Sequence, residues 1–161
     1  MRKGFTMIEL IFVIVILGVL ASVAIPRLAA TRDDAEVAKA ATNLTTAVSD
    51  ITAYYTAKGK FSTTSNFTEI TNALTKDGKL NVKGSTTCVE VKLPTATAGN
   101  TVNASDKVEL TLEFKDSDAV CKQIKKLPGI LAMCGTDTTQ TNATVSSTCK
   151  IQIGGSGGIQ F

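Results

Sequence analysis

The chain contains no histidine and no tryptophan, and only three prolines in 161 residues. Without histidine there is no Ser-His-Asp or Cys-His machinery, no imidazole metal site and no histidine pH switch. The excess of positive charge is small as well. Seventeen Lys and Arg against fourteen Asp and Glu leave a net charge of +3, two units of which are Arg2 and Lys3. Strong nucleic-acid binding by charge alone is therefore disfavoured. Apolar residues make up 43% of the chain, enough for a core, but they are unevenly spread, since Leu10 to Ala24 contains no charged side chain. A length of 161 residues suits one ordinary domain with an appendage rather than a multidomain assembly.

The run from Phe5 to Ile25 would make a helix of about 32 Å at roughly 1.5 Å per residue, which matches a hydrocarbon core of about 30 Å. Two readings compete for it. Arg2 and Lys3 followed by an apolar run and Ser22-Val23-Ala24 imitate a secretory signal with a small-x-small cut. Glu9 favours a retained span. A carboxylate in the bilayer costs at most roughly 2.5 to 3.5 kcal/mol, a burden that a discarded signal has no use for.

Lys3-Gly4-Phe5-Thr6-Met7-Ile8-Glu9-Leu10, followed by aliphatic residues up to Pro26, resembles the start of a type IV prepilin. Met7 stands where Leu is more usual. The resemblance covers roughly residues 1–57. It implies a leader at residues 1–4 and cleavage between Gly4 and Phe5 by a membrane prepilin peptidase on the cytoplasmic side. It also implies N-methylation of Phe5 and pairing of Glu9 with the Phe5 amine of a neighbouring subunit during assembly. Elementary chemistry agrees with these roles. Gly4 gives a protease a compliant backbone, Arg2 and Lys3 hold the cut in the cytoplasm, and pairing relieves the penalty on a buried charge. The alternative for Glu9 is a carboxyl that protonates or snorkels towards the headgroups. Gly18 and Pro26 weaken the helical ladder and are expected to kink or unwind it.

Beyond Pro26 the pattern turns amphipathic, giving a second helical half over residues 26–58. Val37, Ala41, Leu44, Val48, Ile51 and Tyr55 form one stripe, while Arg32, Asp33, Glu36, Lys39, Asn43 and Asp50 occupy other faces. Gly59 suits a left-handed C-cap. Residues 59–161 read as a head of strands and loops. Val89, Val91 and Leu93 alternate with Cys88, Glu90 and Lys92; Val108, Leu110, Leu112 and Phe114 alternate with polar residues; Cys149, Ile151 and Ile153 give a third strand. Ile159 and Phe161 follow the loop Gly154 to Gly158 as a short edge. Asp116 or Ser117 is expected to cap a short helix carrying Val120, Cys121, Ile124 and Leu127, stopped by Pro128-Gly129. The fold class is thus α+β, a long N-terminal helix packed on a small antiparallel sheet as in type IV pilins.

Cys88, Cys121, Cys134 and Cys149 all lie beyond the span, on the side that Arg2 and Lys3 leave outside the cytoplasm. Two disulfides are expected, with three connectivities open and Cys88 with Cys121 and Cys134 with Cys149 provisionally preferred. Zinc competes poorly without histidine or a Cys-x-x-Cys pair. The resemblance implies one bridge around a C-terminal loop more often than two, so the second pair is a departure.

No catalytic set, metal site or cofactor is expected. Asp33 with Asp34, and Asp116 with Asp118, stand beside no plausible base, nucleophile or phosphate loop. Asn43, Asn66, Asn103 and Asn142 each head an Asn-x-Ser/Thr triplet, a frequent accident in a Thr-rich chain. Tyr54, Tyr55 and Phe61 read as packing at the helix end.

The function that the resemblance implies is a structural subunit of a type IV pilus, serving adhesion, twitching motility or DNA uptake. The implied partners are copies of itself in a helical filament, the prepilin peptidase and the pilus assembly machinery; no receptor is specified. The precursor is placed in the bacterial inner membrane and the product in an extracellular surface filament. The alternative is a pseudopilin of a type II secretion system, which shares the Tyr55, Gly59, Phe61 arrangement but usually carries an acidic calcium loop near its C-terminus. Here Asp137 is the only acid after Cys134, too little hard oxygen charge for such a site. A monomeric membrane-anchored binding module or enzyme is a third class, and it requires a concave polar site.

Overall fold

The computed structural model describes residues 4–61, 66–94, 107–136 and 143–154. Helix α1, Met7–Lys58, is the longest element. A 3-10 turn Phe67–Glu69 follows, then strands β1 Lys79–Val82, β2 Thr86–Lys92 and β3 Val108–Phe114, helices α2 Ala119–Ile124 and α3 Pro128–Met133, and strand β4 Thr148–Gly154. The α+β class is thus observed. The chain divides into two compact units, residues 1–35 and 36–161, with the division inside α1.

In the first unit the helix from Leu10 to Ile25 carries no charged side chain on any side. Phe5, Leu10, Phe12, Leu17, Leu20 and Ile25 are each at least half exposed, and the most apolar window averages a hydropathy of 2.9 with none of it buried. Its many β-branched residues are modest helix formers in water, but in lipid a helix is the one single-segment form that satisfies every backbone group. Helix α1 is continuous through Gly18 and Pro26, so the expected unwinding is not seen in this conformation. Pro26 has no N–H to offer the Ser22 carbonyl, and the Ser22 hydroxyl donates to the Val19 carbonyl (2.7 Å).

In the second unit the sheet is an antiparallel meander in the order β1-β2-β3-β4. Leu44 and Ile51 of α1 join Leu80, Val89, Val91, Leu110 and Leu112 in one core, all at most 2% exposed. Each such side chain contributes roughly 1.5 to 3 kcal/mol relative to exposure. Strand β3 alternates buried and half-buried residues along its whole length. The buried helical stripe is centred on Val37, Ala40, Leu44, Ala47 and Ile51, with Ala41, Val48 and Tyr55 half-buried at its flank. The expected stripe was therefore rotated slightly, because alanine weighs little in a hydropathy pattern yet sits readily at the seam. Helix α1 ends as the glycine predicts: Gly59 adopts φ 69° and its N–H donates to the Tyr55 carbonyl (2.7 Å). Phe61 stacks with Tyr54 and Tyr55 at centroid distances of 6.0 and 5.5 Å.

Four local expectations need correction. Strand β1 was missed because only Leu80 and Val82 alternate, over four residues; the three-residue turn after it has Lys83 at φ 49° and Gly84 at φ 89°, both left-handed. The cap of α2 is Asp118, whose carboxylate accepts from the Val120 N–H (2.9 Å), rather than Asp116 or Ser117. Pro128-Gly129 do not merely stop a helix; they open α3, with Pro128 in the first turn where its missing N–H costs nothing. Gly154 is the last residue of β4 rather than the start of a loop, since the Tyr55 ring occupies the space that a Cβ there would need. Ile159, Phe161 and Gly155 to Gly158 lie outside the described residues, as do Met1, Arg2, Lys3, Asn103, Asp137 and Asn142.

Candidate processing and assembly site

Residues Gly4 to Glu9 hold the sequence features with chemical consequence, and the start of α1 positions them. Gly4 and Phe5 precede the first helical residue, Met7. Phe5 is 86% exposed, and a Cβ at Gly4 would meet no atom within 4 Å. Gly4 and Phe5 are thus exposed on non-helical backbone ahead of α1.

Glu9 is bound within its own chain. One of its carboxylate oxygens, Oε2, accepts from the Thr6 N–H (2.9 Å) and from the Thr6 hydroxyl (2.7 Å), and the Glu9 N–H faces the Thr6 Oγ1 at 3.4 Å. This is a capping box, with Thr6 as N-cap and Glu9 three residues on, so both otherwise orphaned donors are engaged. The pattern Thr-x-x-Glu was legible in the sequence, yet Glu9 was weighed there only as an intermolecular partner or a snorkelling acid. In this uncleaved chain the Phe5 nitrogen is still an amide, so the only charge in the box is the carboxylate. Cutting the bond would place a cationic amine one residue before Thr6.

The second unit carries the cysteines and most of the charge. Cys88 is joined to Cys121 and Cys134 to Cys149, with Cα separations of 4.9 and 5.5 Å and no free thiol. The first bridge ties α2 to β2, and the second ties the end of α3 to β4. The polar face of the sheet is crossed by ion pairs: Lys92–Glu113 (2.6 Å), Lys115–Glu90 (2.9 Å) and Lys150–Glu109 (3.3 Å). The hydrogen bond from Lys115 holds the Glu90 carboxyl below its ordinary value, and the bond to Glu113 raises Lys92. Asp118 is likewise lowered, first by the Val120 N–H and then by Lys83.

These features stabilise a fold, and none converges as a reactive centre does. Asp116 pairs with Lys125 (3.1 Å), and Asp118 serves its helix cap and Lys83. Asp33 and Asp34 belong to the first unit. Among the described residues no three metal-ligating side chains gather. A trough of 380 Å³ is lined by Ala41, Thr45, Leu127, Pro128, Gly129, Ile130 and Met133. Its one hydroxyl, on Thr45, is bonded to the Ala41 carbonyl (2.9 Å).

Residues 1–25 match the family model described as the prokaryotic N-terminal methylation motif, the type IV prepilin signature. No curated protein and no solved structure matches the chain.

Proposed function

We propose, from the prepilin signature over residues 1–25, that this pilin-like chain is the precursor of a structural subunit that polymerises into a type IV pilus. The observation that carries the proposal is the join of that signature to a stretch, helical from Met7, whose large apolar side chains are exposed from Phe5 to Leu28. Such a surface is stable in lipid or against like helices, and not in water. Prepilin peptidase cuts Gly4–Phe5, removing residues 1–4, and the new Phe5 amine is methylated. The span over residues 5–25 anchors the subunit in the inner membrane until the assembly machinery passes it into a surface filament. There Glu9 compensates the Phe5 amine of an adjacent subunit.

In the precursor the capping box holds the Glu9 carboxylate and starts the helix. Oε1 makes none of those bonds and supplies the acceptor for a neighbour's amine, so the cap and the intermolecular pair need not compete. Gly18 and Pro26 are the points where the helix yields during assembly. Residues 59–161 form the exposed head, held oxidised by its two bridges. In this role the chain binds itself and does no catalysis, with no cofactor or metal.

The pseudopilin reading rests on Tyr55, Gly59 and Phe61; the Tyr55 and Phe61 rings stack at the helix end, where Gly59 turns the chain. The scarcity of acids after Cys134 weighs towards the pilus. Electron microscopy of material sheared from the surface of cells making this chain decides between filament and anchor. Fibres labelled by an antibody to the head support the proposal; a chain found only in the membrane fraction, with no fibres, overturns it.

A further inference from the structure

Four Asn-x-Ser/Thr triplets occur in the chain, and two of them fall among the described residues. The two differ sharply. Asn43-Leu44-Thr45 lies inside α1, where Leu44 is 0% exposed and the Thr45 hydroxyl is spent on the Ala41 carbonyl (2.9 Å). Asn66-Phe67-Thr68 lies in the connection between α1 and β1. Asn66 is extended, at φ −88° and ψ 99°, and its side chain makes no bond to the backbone of the turn that follows. Instead its Oδ1 accepts from the Thr68 hydroxyl at 2.9 Å.

The middle residue explains how the segment is held. Phe67 is 5% exposed, and its ring lies where a Cβ on Gly78 would approach within 2.5 Å. The Thr71 N–H donates to the Phe67 carbonyl (2.8 Å), and the Thr71 hydroxyl donates to Asp50 on α1 (2.7 Å). With Phe67 anchored inward and Thr68 exposed, the asparagine amide and the threonine hydroxyl are fixed together at the surface.

We propose that Asn66 is an acceptor site for an N-linked glycan. The amide nitrogen of asparagine is a poor nucleophile because its lone pair is delocalised into the carbonyl. A transferase must therefore twist or deprotonate the amide to free that lone pair, and the Thr68 hydroxyl held beside it is the handle by which the pair is positioned. The donor substrate is a sugar joined through its anomeric carbon to a lipid diphosphate, presented by a transferase on the non-cytoplasmic side. Asn66 Nδ2 forms a bond to the anomeric carbon, and the bond from that carbon to the diphosphate oxygen breaks, its electron pair leaving with the diphosphate. One Nδ2 proton passes to a base of the transferase, and nothing is oxidised or reduced. The inference rests on the proposed function only in requiring that the head reach that side of the membrane.

The test is peptide mapping of the chain purified from the membranes and filaments of its native source, with N-terminal sequencing of the same sample. Trypsin releases the segment Phe61 to Lys76, on which fragmentation localises a glycan to Asn66. The expected result is a hexose- or hexosamine-containing mass on Asn66, reduced at least about tenfold in Asn66→Gln and Thr68→Val. Thr68→Ser, which restores the hydroxyl, and Asn43→Gln should keep occupancy within about twofold. A bare Asn66 in the native chain, or occupancy unchanged in Thr68→Val, overturns the proposal, as does a glycan confined to Asn103 or Asn142. A bare Asn66 on a chain beginning at methylated Phe5 would leave the pilin reading intact, and a glycan on a chain that keeps residues 1–4 would remove that reading and leave the glycan.

Discussion

The two parts of α1 treat the same kinds of side chain in opposite ways. Leu17 and Leu20 are 58% and 61% exposed, whereas Leu44, further along the same helix, is 0% exposed. In the first unit, Leu10 to Ile25 carry no charge anywhere around the circumference; the helix of the second unit is apolar on one stripe, with Lys39, Thr42, Thr45 and Thr46 on the exposed side. A one-sided stripe is satisfied within its own chain by a sheet. An all-round apolar surface has no such partner and must find lipid or other copies of itself. Helix periodicity therefore separates the stretch that folds against its own sheet from the stretch that needs a partner outside the chain.

The most severe way to break this division is at the one acid in the apolar unit's first turn. Glu9→Leu removes both the cap on Thr6 and the proposed partner of the neighbouring Phe5 amine. Membrane insertion and cleavage should persist, since the span becomes more apolar. Filaments should be lost, because an unpaired amine in the fibre core costs several kcal/mol, roughly 3 to 5 by analogy with a broken buried pair. Immunoblots of the processed form, read beside microscopy, check it; normal fibres would mean that apolar packing suffices.

A matched pair of leucines sharpens the comparison. Leu44→Ala should lower the unfolding free energy of the head by roughly 2 to 5 kcal/mol through a cavity against the sheet. Leu17→Ala should leave head stability within about 0.5 kcal/mol, as for other exposed positions. Denaturant titration of the detergent-solubilised chain, followed by the head's own signal, measures both. Equal losses would erase the distinction between the units.

At the join of helix and head the expected effect is smaller. Gly59→Ala puts a Cβ on a residue at φ 69° and should cost about 1 kcal/mol, read as a lower thermal midpoint with unchanged bridges. No change would show that the left-handed cap is not required there.

The smallest effect concerns pH. Glu90 and Asp118 have folded pKa values below their ordinary 4.5 and 3.8. Their contribution is fully present above those ordinary values and is lost as pH falls through the lower folded ones. Lys92 is raised above 10.5, so its contribution is present below that value and fades as pH rises through the folded one. Head stability should be level near neutrality and decline modestly at both extremes. Because these pairs are exposed, salt should weaken the effect. Glu90→Gln should flatten the acid limb, and an unchanged limb would place the acid sensitivity elsewhere.

Much of the head was legible because its strands are half-buried. Alternation in Val108 to Phe114 maps directly onto a buried face, and Gly59 marked the end of α1 by its backbone freedom, with Lys58 complementing the helix dipole. What escaped was decided by packing or by competition among neighbours. Strand β1 has too few residues to show a period. Asp116, Ser117 and Asp118 are all good caps in isolation, and only the path out of β3 selects Asp118. Tyr55 over Gly154 is a contact between residues almost a hundred positions apart, and no local pattern announces it. At the candidate site Glu9 stood out because a carboxylate in an apolar run is costly and so conspicuous, whereas Gly4 and Phe5 stood out through the resemblance to a type IV prepilin. The capping role of Thr6 was visible as a spacing, but the membrane question masked it.

The central claim is that residues 1–4 are removed and that the apolar segment beginning at Phe5 stays with the head. Intact mass and N-terminal sequencing of the chain recovered from cell membranes and surface material test it most directly. The account predicts a chain that begins at N-methyl-Phe5 and retains the whole of α1. A chain beginning at Ile25, after Ser22-Val23-Ala24, would contradict it, because the apolar segment would then be a discarded export signal and the head a free secreted domain.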